Sequence, residues 1–159
     1  MKVPGLRSSS EMVGGFVHFG RMLDKIRLQA QGKLPETYHK NLGAGFDGRC
    51  IRFLQIDYPA LAKRVTQGGS DLEILEWCFQ KGRKPSDEEI EIWNAFLSNR
   101  GWRDDASENL ERSKRESGFG SRSDIQTYFD LHEAEETWSD RFFSVSDRGI
   151  SRGEGNRLS

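Results

Sequence analysis

Apolar residues recur along most of this chain at spacings of three and four, the signature of helices buried on one side. Met12, Phe16, Phe19, Leu23 and Ile26 form the longest such stripe. It predicts a helix from an N-cap at Ser10 to about Gln31, with Gly14 and Gly15 inside it and Gly32 and Pro35 as its stop. Residues 32–48 hold four glycines and one proline and show no period, so they read as a long loop. In residues 49–56, Cys50, Phe53 and Leu54 share a helical face, although a short strand fits as well.

From Asp57 onward the punctuation is clearer. Asp57 and Pro59 open a helix carrying Leu61 and Val65, and Gly68-Gly69 ends it. Ser70 opens the next, with Leu72, Leu75, Cys78 and Phe79 on one side and Gly82 at its end. Ser86 and Glu89 form a capping box ahead of Ile90, Trp93, Phe96 and Leu97. Residues 104–116 are polar almost all round, with Glu108–Arg112 and Glu111–Arg115 spaced to pair on a solvated helix. A second box, Ser123 with Gln126, precedes Ile125, Tyr128, Phe129 and His132. The stretch from about 140 to 159 is rich in Ser, Gly and Arg and reads as a loose tail.

The fold class is therefore all-α: a single compact helical domain over 1–139, with about five to seven helices and one long Gly-rich loop, followed by a flexible tail over 140–159. The expected core is Phe16, Phe19, Leu23, Ile26, Leu61, Leu75, Ile90, Trp93, Phe96 and Phe129, with the helix at 10–31 the longest or second longest. Of the four Trp, Trp102 is expected to be the most exposed. Composition sets outer limits on this picture. A chain of 159 residues is one domain long and large enough to fold without disulfide or metal. With 31% charged residues it has no apolar run of membrane-spanning length, and with 10 Phe and 4 Trp it is too aromatic for wholesale disorder. Two cysteines, Cys50 and Cys78, show no paired spacing and read as buried free thiols, with a disulfide between them as the alternative; the start of the chain lacks an apolar leader. Together these point to the cytoplasm.

Charge is unevenly spread. Residues 1–65 carry 11 Lys and Arg against 5 Asp and Glu, whereas the remainder carries 13 against 20. The basic part can face an anion or the acidic part of its own chain. A pI near 6.3 disfavours nucleic acid as the partner.

Four segments occur in an order that carries a resemblance: RSSSEMVGGFVHFGRMLDKIR (7–27), SDLEILEWC (70–78), EEIEIWNAF (88–96) and RSDIQTYFDLHEAEE (122–136). They resemble the bacterial family catalogued as domain of unknown function 5069. Its members open on an Arg-Ser-Pro-like start, a Gly-Gly helix and an Arg-Met-Leu-Asp-Lys core, and close on an Asp-Ile-x-Thr-Trp/Tyr-Phe-Asp-Leu helix. The likeness runs over about 7–138. Many members have Pro where this chain has Ser10, and a Tyr-rich, Cys-Pro-like stretch where it has TYHKNLGAGFDGRC. The resemblance implies a bacterial, intracellular helical domain. It brings no established activity, so no catalytic residue is carried over.

The residues themselves offer few chemical motifs. Gly43 to Gly48 spells G-x-G-x-x-G, but no strand precedes it and no parallel-sheet pattern follows; what remains is a Gly-rich turn whose N–H groups can hold an anion beside Arg49 and Arg52. His132 and Glu136 are one helical turn apart but lack a third ligand, so neither metal nor cofactor is expected. Arg21, Asp24, Lys25 and Arg27 are the densest polar group on the first helix. A salt-bridged face accounts for them. Alternatively Arg21, Asp24 and Lys25 line a polar cleft with Tyr38, His39, Asp47, Arg49 and Arg52, in which Arg49 or Arg52 reaches Asp24 or Asp47. The leading functional expectation is a non-enzymatic binding domain for an unknown protein partner or a small anionic ligand, off the membrane. The alternatives are an enzyme using the 21–27 helix and the 36–52 loop, and nucleic-acid binding through the basic part.

Overall fold

The computed structural model describes residues 2–146, with side chains through residue 137. Among the described residues there are seven α-helices and one two-stranded ribbon. The ribbon comes first: β1 (Met12–Val13) pairs antiparallel with β2 (Phe16–Val17), Val13 opposite Phe16. The helices follow as α1 (Phe19–Ala30), α2 (Gly45–Leu54), α3 (Tyr58–Thr66), α4 (Asp71–Lys81), α5 (Asp87–Asn99), α6 (Ser107–Glu116) and α7 (Tyr128–Ser146). A 3-10 turn, Glu36–Asn41, lies between α1 and α2.

The start of the chain corrects the expected helix at 10–31. Gly14 and Gly15 have φ of 57° and 85°, the paired positive values of a type I′ hairpin turn. The 4,3 spacing of Met12, Phe16 and Phe19 coincides with a helical stripe without being one. Met12 is 60% exposed, while Phe16 and Val17 are buried. Asn94 of α5 clamps the ribbon, accepting from the Val17 N–H at 3.1 Å and donating to the Gly15 carbonyl at 2.7 Å. At 12 residues α1 is shorter than α5 (13) and α7 (19).

The supposed loop at 32–48 is also more ordered than expected, being the 3-10 turn and the start of α2. Asp57 caps α3 through the Ala60 N–H, and Ser70/Glu73 and Ser86/Glu89 form reciprocal boxes on α4 and α5. The box expected at Ser123/Gln126 lies instead at Thr127 and Asp130: Thr127 Oγ1 accepts from the Asp130 N–H and Asp130 Oδ2 from the Thr127 N–H, both at 3.1 Å. With no Gly or Pro between 128 and 146, α7 continues to Ser146, past the expected boundary at 139. The rest of the expected tail, 147–159, lies outside the described residues.

The main core joins the ribbon, α1 and α2 to α3, α4 and α5 around Phe16, Phe19, Leu23, Leu54, Leu61, Ile74 and Leu97, with Phe129 of α7 against it. Cys50 and Cys78 are buried in it as free thiols. A smaller cluster of Leu110, Phe119, Ile125 and Leu131 ties α6 to α7. Ile90 is only partly buried and Phe96, expected inside, is 43% exposed; Leu72, on the apolar stripe read for its helix, is 62% exposed. On α5, Trp93 and Leu97 take the inward face; Phe96 lies around the helix, covered by the Arg49 and Arg100 guanidiniums at 5.2 and 5.3 Å from its ring centre.

Two substitutions test this architecture. Phe19→Ala, at a fully buried position, is expected to lose about 3–5 kcal/mol in urea unfolding. Gly14→Ala adds a Cβ that overlaps Leu75 at a φ that L-residues avoid. It is expected to cost roughly 2–4 kcal/mol, whereas an unchanged midpoint would contradict the tight turn.

Candidate functional site

Three charged side chains of α1, Arg21, Asp24 and Lys25, are buried. A charge removed from water without a partner costs several kcal/mol, so each must be met inside. Their partners come from three distant segments, and a fourth joins through Arg7 and Arg27. Arg7 grips Asp24 with two prongs, Nε at 2.8 Å and Nη2 at 2.9 Å, and adds its backbone N–H at 3.0 Å. Its remaining prong, Nη1, reaches Asp71 at the start of α4 at 2.6 Å, and Arg27 meets the other oxygen of Asp71 at 2.7 Å. Arg21 donates to Glu136 of α7 at 2.6 Å and to the Arg7 carbonyl at 3.0 Å; the Tyr38 hydroxyl donates to the same Glu136 oxygen at 3.3 Å.

Lys25, one turn on from Arg21, meets Asp47, the fully buried carboxylate of α2, at 2.7 Å. The other oxygen of Asp47 lies 2.7 Å from His18 Nε2, and the Gly43 N–H donates to the carboxylate at 3.3 Å. The Gly-rich turn thus receives the chain's own carboxylate where an external anion was conceivable. Burial works to raise the Asp47 carboxyl, but the His18 hydrogen bond and the Lys25 ammonium outweigh it and hold it below the usual range. Burial pushes both His18 and Lys25 down, against the pull of Asp47. A neutral His18 donating from Nε2 leaves Nδ1 as a bare acceptor. That atom is buried with no hydrogen-bond partner among the described residues. His18 also has φ of 70°, a left-handed conformation uncommon outside glycine.

The second imidazole, His132 of α7, is bonded to Ser9 Oγ at 3.0 Å. Burial, with the nearby Arg21, His18 and Lys25, pushes it down to about 3. The Phe46 ring separates the two imidazoles, edge-on to both at 5.6 and 6.0 Å. Burial and Glu136 lift the Tyr38 phenol to about 12, so it stays a donor. Burial likewise keeps Cys50 a neutral thiol, well above its ordinary value.

Of the residues read from the sequence as a cleft, Arg21, Lys25, Tyr38 and Asp47 converge, and Asp24 sits beside them in the Arg7 cluster. The other three are elsewhere. His39 is exposed and bonds the Leu34 carbonyl at 3.0 Å; Arg52 is exposed; Arg49 stacks on Phe96. Neither Arg49 nor Arg52 takes up Asp24 or Asp47, because Arg7 and Lys25 already hold those carboxylates. Sequence reasoning missed Arg7, His18, Asp71 and Glu136 as members. Asp71 lies 64 positions from Arg7, and Glu136 115 from Arg21, and no local spacing reports such pairs. His132 and Glu136 carried a signal, but one that read as half a metal site. Among the described residues no group of three His, Cys, Asp or Glu side chains is placed to hold a metal.

Two imidazoles, the buried His18 and the half-buried His132, make stability depend on pH. Their folded values lie below about 6.5, the unfolded value, so the stability they allow is complete above that pH. It is lost as pH falls toward about 3, where His132 protonates in place. His132 contributes a slope of about 1.4 kcal/mol per pH unit through this window. Urea unfolding from pH 7 to pH 4 should show a steep loss, and His132→Phe should flatten it by about one such slope. Parallel curves would contradict a neutral His132.

No helix of the described residues is long and apolar enough to cross a membrane. No curated protein matches the chain. The model of the family described as domain of unknown function (DUF5069) matches residues 3–138. That span contains every residue of both charge clusters, and the chain belongs to this family.

Proposed function

We propose that this bacterial, cytoplasmic domain is a non-catalytic binding module for a protein segment. The observation that carries the reading is the closure of its polar centre: Arg7, Arg21, Lys25 and Arg27 are all held by carboxylates of the same chain. Of the cations that motivated an anion cleft, Arg21 and Lys25 are therefore occupied, whereas Arg49 lies over Phe96 and Arg52 is exposed, both away from this centre. The free thiols are buried, as suits a reducing compartment.

A groove of about 480 Å³ lined by Arg64, Leu72, Glu73, Glu76, Trp77 and Gln80 offers what the centre lacks. Leu72 stands 62% exposed there beside the half-buried Trp77, and the ribbon's Gly14 turn packs against Leu72. Glu73 and Glu76 flank these apolar groups. An apolar anchor with Lys or Arg on either side complements this lining. A second open hollow, about 450 Å³ on α6, is lined by Ser107, Glu108, Glu111, Arg112 and Arg115 and provides no apolar anchor. An enzymatic role at the polar centre is the second reading, supported by one observation, the bare His18 Nδ1 in a left-handed backbone.

An array of peptides with Leu or Phe anchors and basic, neutral or acidic flanks tests the proposal. The basic set should bind and the acidic set should not, with Leu72→Glu reducing binding at least tenfold. Millimolar phosphate or succinate should leave the melting temperature unchanged. A rise with either anion that is lost in Lys25→Met, or turnover lost in a folded His18→Asn, would replace this reading with the second.

A further inference from the structure

The outward face of α5 carries charge at both ends and apolar side chains between them. Glu88, Glu91, Ile92, Ala95, Phe96 and Asn99 are all exposed and follow one another at alternating steps of three and one. The middle is apolar: Ile92 is 62% and Phe96 43% exposed, with the small Ala95 between them. The first end is acidic. The last end carries three Arg against two Asp: Arg49 and Arg100 lie over Phe96 and Arg103 over Trp102, with Asp104 and Asp105 beside Arg100. Among the described residues Glu88 and Glu91 form no ion pair, and neither do Arg49 and Arg103, whereas Arg100 is shared with Asp104 and Asp105.

A surface that runs acidic, apolar, basic along one axis is complementary to itself when turned end for end. We propose that α5 packs antiparallel against α5 of a second copy of this chain, across a two-fold axis near Asn94. Ile92 then meets the partner's Phe96, and Glu88 and Glu91 meet the partner's Arg100 and Arg49. A two-fold contact uses the same patch on both copies, so each complementary pair occurs twice. Ala95 lets the helix axes approach within the 8–10 Å of close helix packing. Arg49, held over the Phe96 ring and without an ion pair among the described residues, keeps its N–H groups for a carboxylate.

One helix of 13 residues is about 20 Å long. Its face falls short of the roughly 800 Å² per partner of a standard interface. The association should be weak, on the order of 10–100 µM. The α3–α4 groove is not part of this face, so the dimer and the peptide site stand or fall separately.

Sedimentation of the full chain over a range of concentrations should show the mass rising from 18.2 kDa toward twice that value. Ile92→Glu should hold it at the monomer. Glu91→Arg and Arg49→Glu, each checked for wild-type helicity, should be monomeric alone and form a mixed dimer when combined. A wild type that stays monomeric at millimolar concentration would overturn the proposal, as would a dimer indifferent to Ile92→Glu or a mixture that stays monomeric. Peptide binding in the groove by a monomeric protein would show that only this inference had failed.

Discussion

Burial of Arg21, Asp24 and Lys25 on one short helix is the constraint from which the rest of this structure follows. None of the three can be inside alone, and α1 offers only Arg27 as internal relief, at 3.4 Å from Asp24. The chain therefore brings Arg7 from before the ribbon, Asp47 from α2, Asp71 from α4 and Glu136 from α7 to the same helix. Apolar contacts supply most of the cohesive free energy, as in any domain of this size. They are tolerant of exchange, however, and do not dictate which segments meet. The ion pairs do. They also explain the uneven charge of the sequence, since Arg7, Arg21 and Arg27 of the basic part find Asp71 and Glu136 in the acidic part.

The same constraint shapes what the domain can do. A polar centre whose charges are matched internally holds the first 50 residues on the helices that follow, and has little left for a ligand. His18 is the exception. Its left-handed backbone turns the ribbon into α1 while its ring reaches Asp47. Under the proposed function, recognition falls to the surface, where large apolar side chains remain: Leu72 beside the ribbon, and Ile92 and Phe96 on α5. Both surfaces are on rigid helices closed by reciprocal capping boxes, so neither has to be ordered by a partner.

The legible parts of the sequence were those governed by local rules. The starts of α3, α4 and α5 could be read from Asp57, Ser70 and Ser86, because an N-cap and its partner lie within three residues. The ribbon was not legible as read, since Met12, Phe16 and Phe19 imitate a helical stripe and a Gly-Gly pair can either cost a helix stability or turn a hairpin. Phe96 and Leu72 show the limit of periodicity from the other side: apolar letters at helical spacing do not say which of two faces is covered. At the polar centre, Arg21, Lys25, Tyr38 and Asp47 were found because they crowd into two segments. Arg7 and Asp71 were not, because an ion pair between remote positions leaves no trace in spacing.

A double-mutant cycle on Lys25 and Asp47 tests the central claim most directly. Lys25→Met, Asp47→Asn and the double variant are compared with wild type by urea unfolding at pH 7. If the pair is a buried lock, the Lys25→Met single should cost about 3–5 kcal/mol, because it leaves a carboxylate inside without its ammonium. The double should cost less than the sum of the singles by roughly 2 kcal/mol or more. Costs that add to within about 0.5 kcal/mol would show that the two charges do not depend on each other, and the account built on α1 would be wrong.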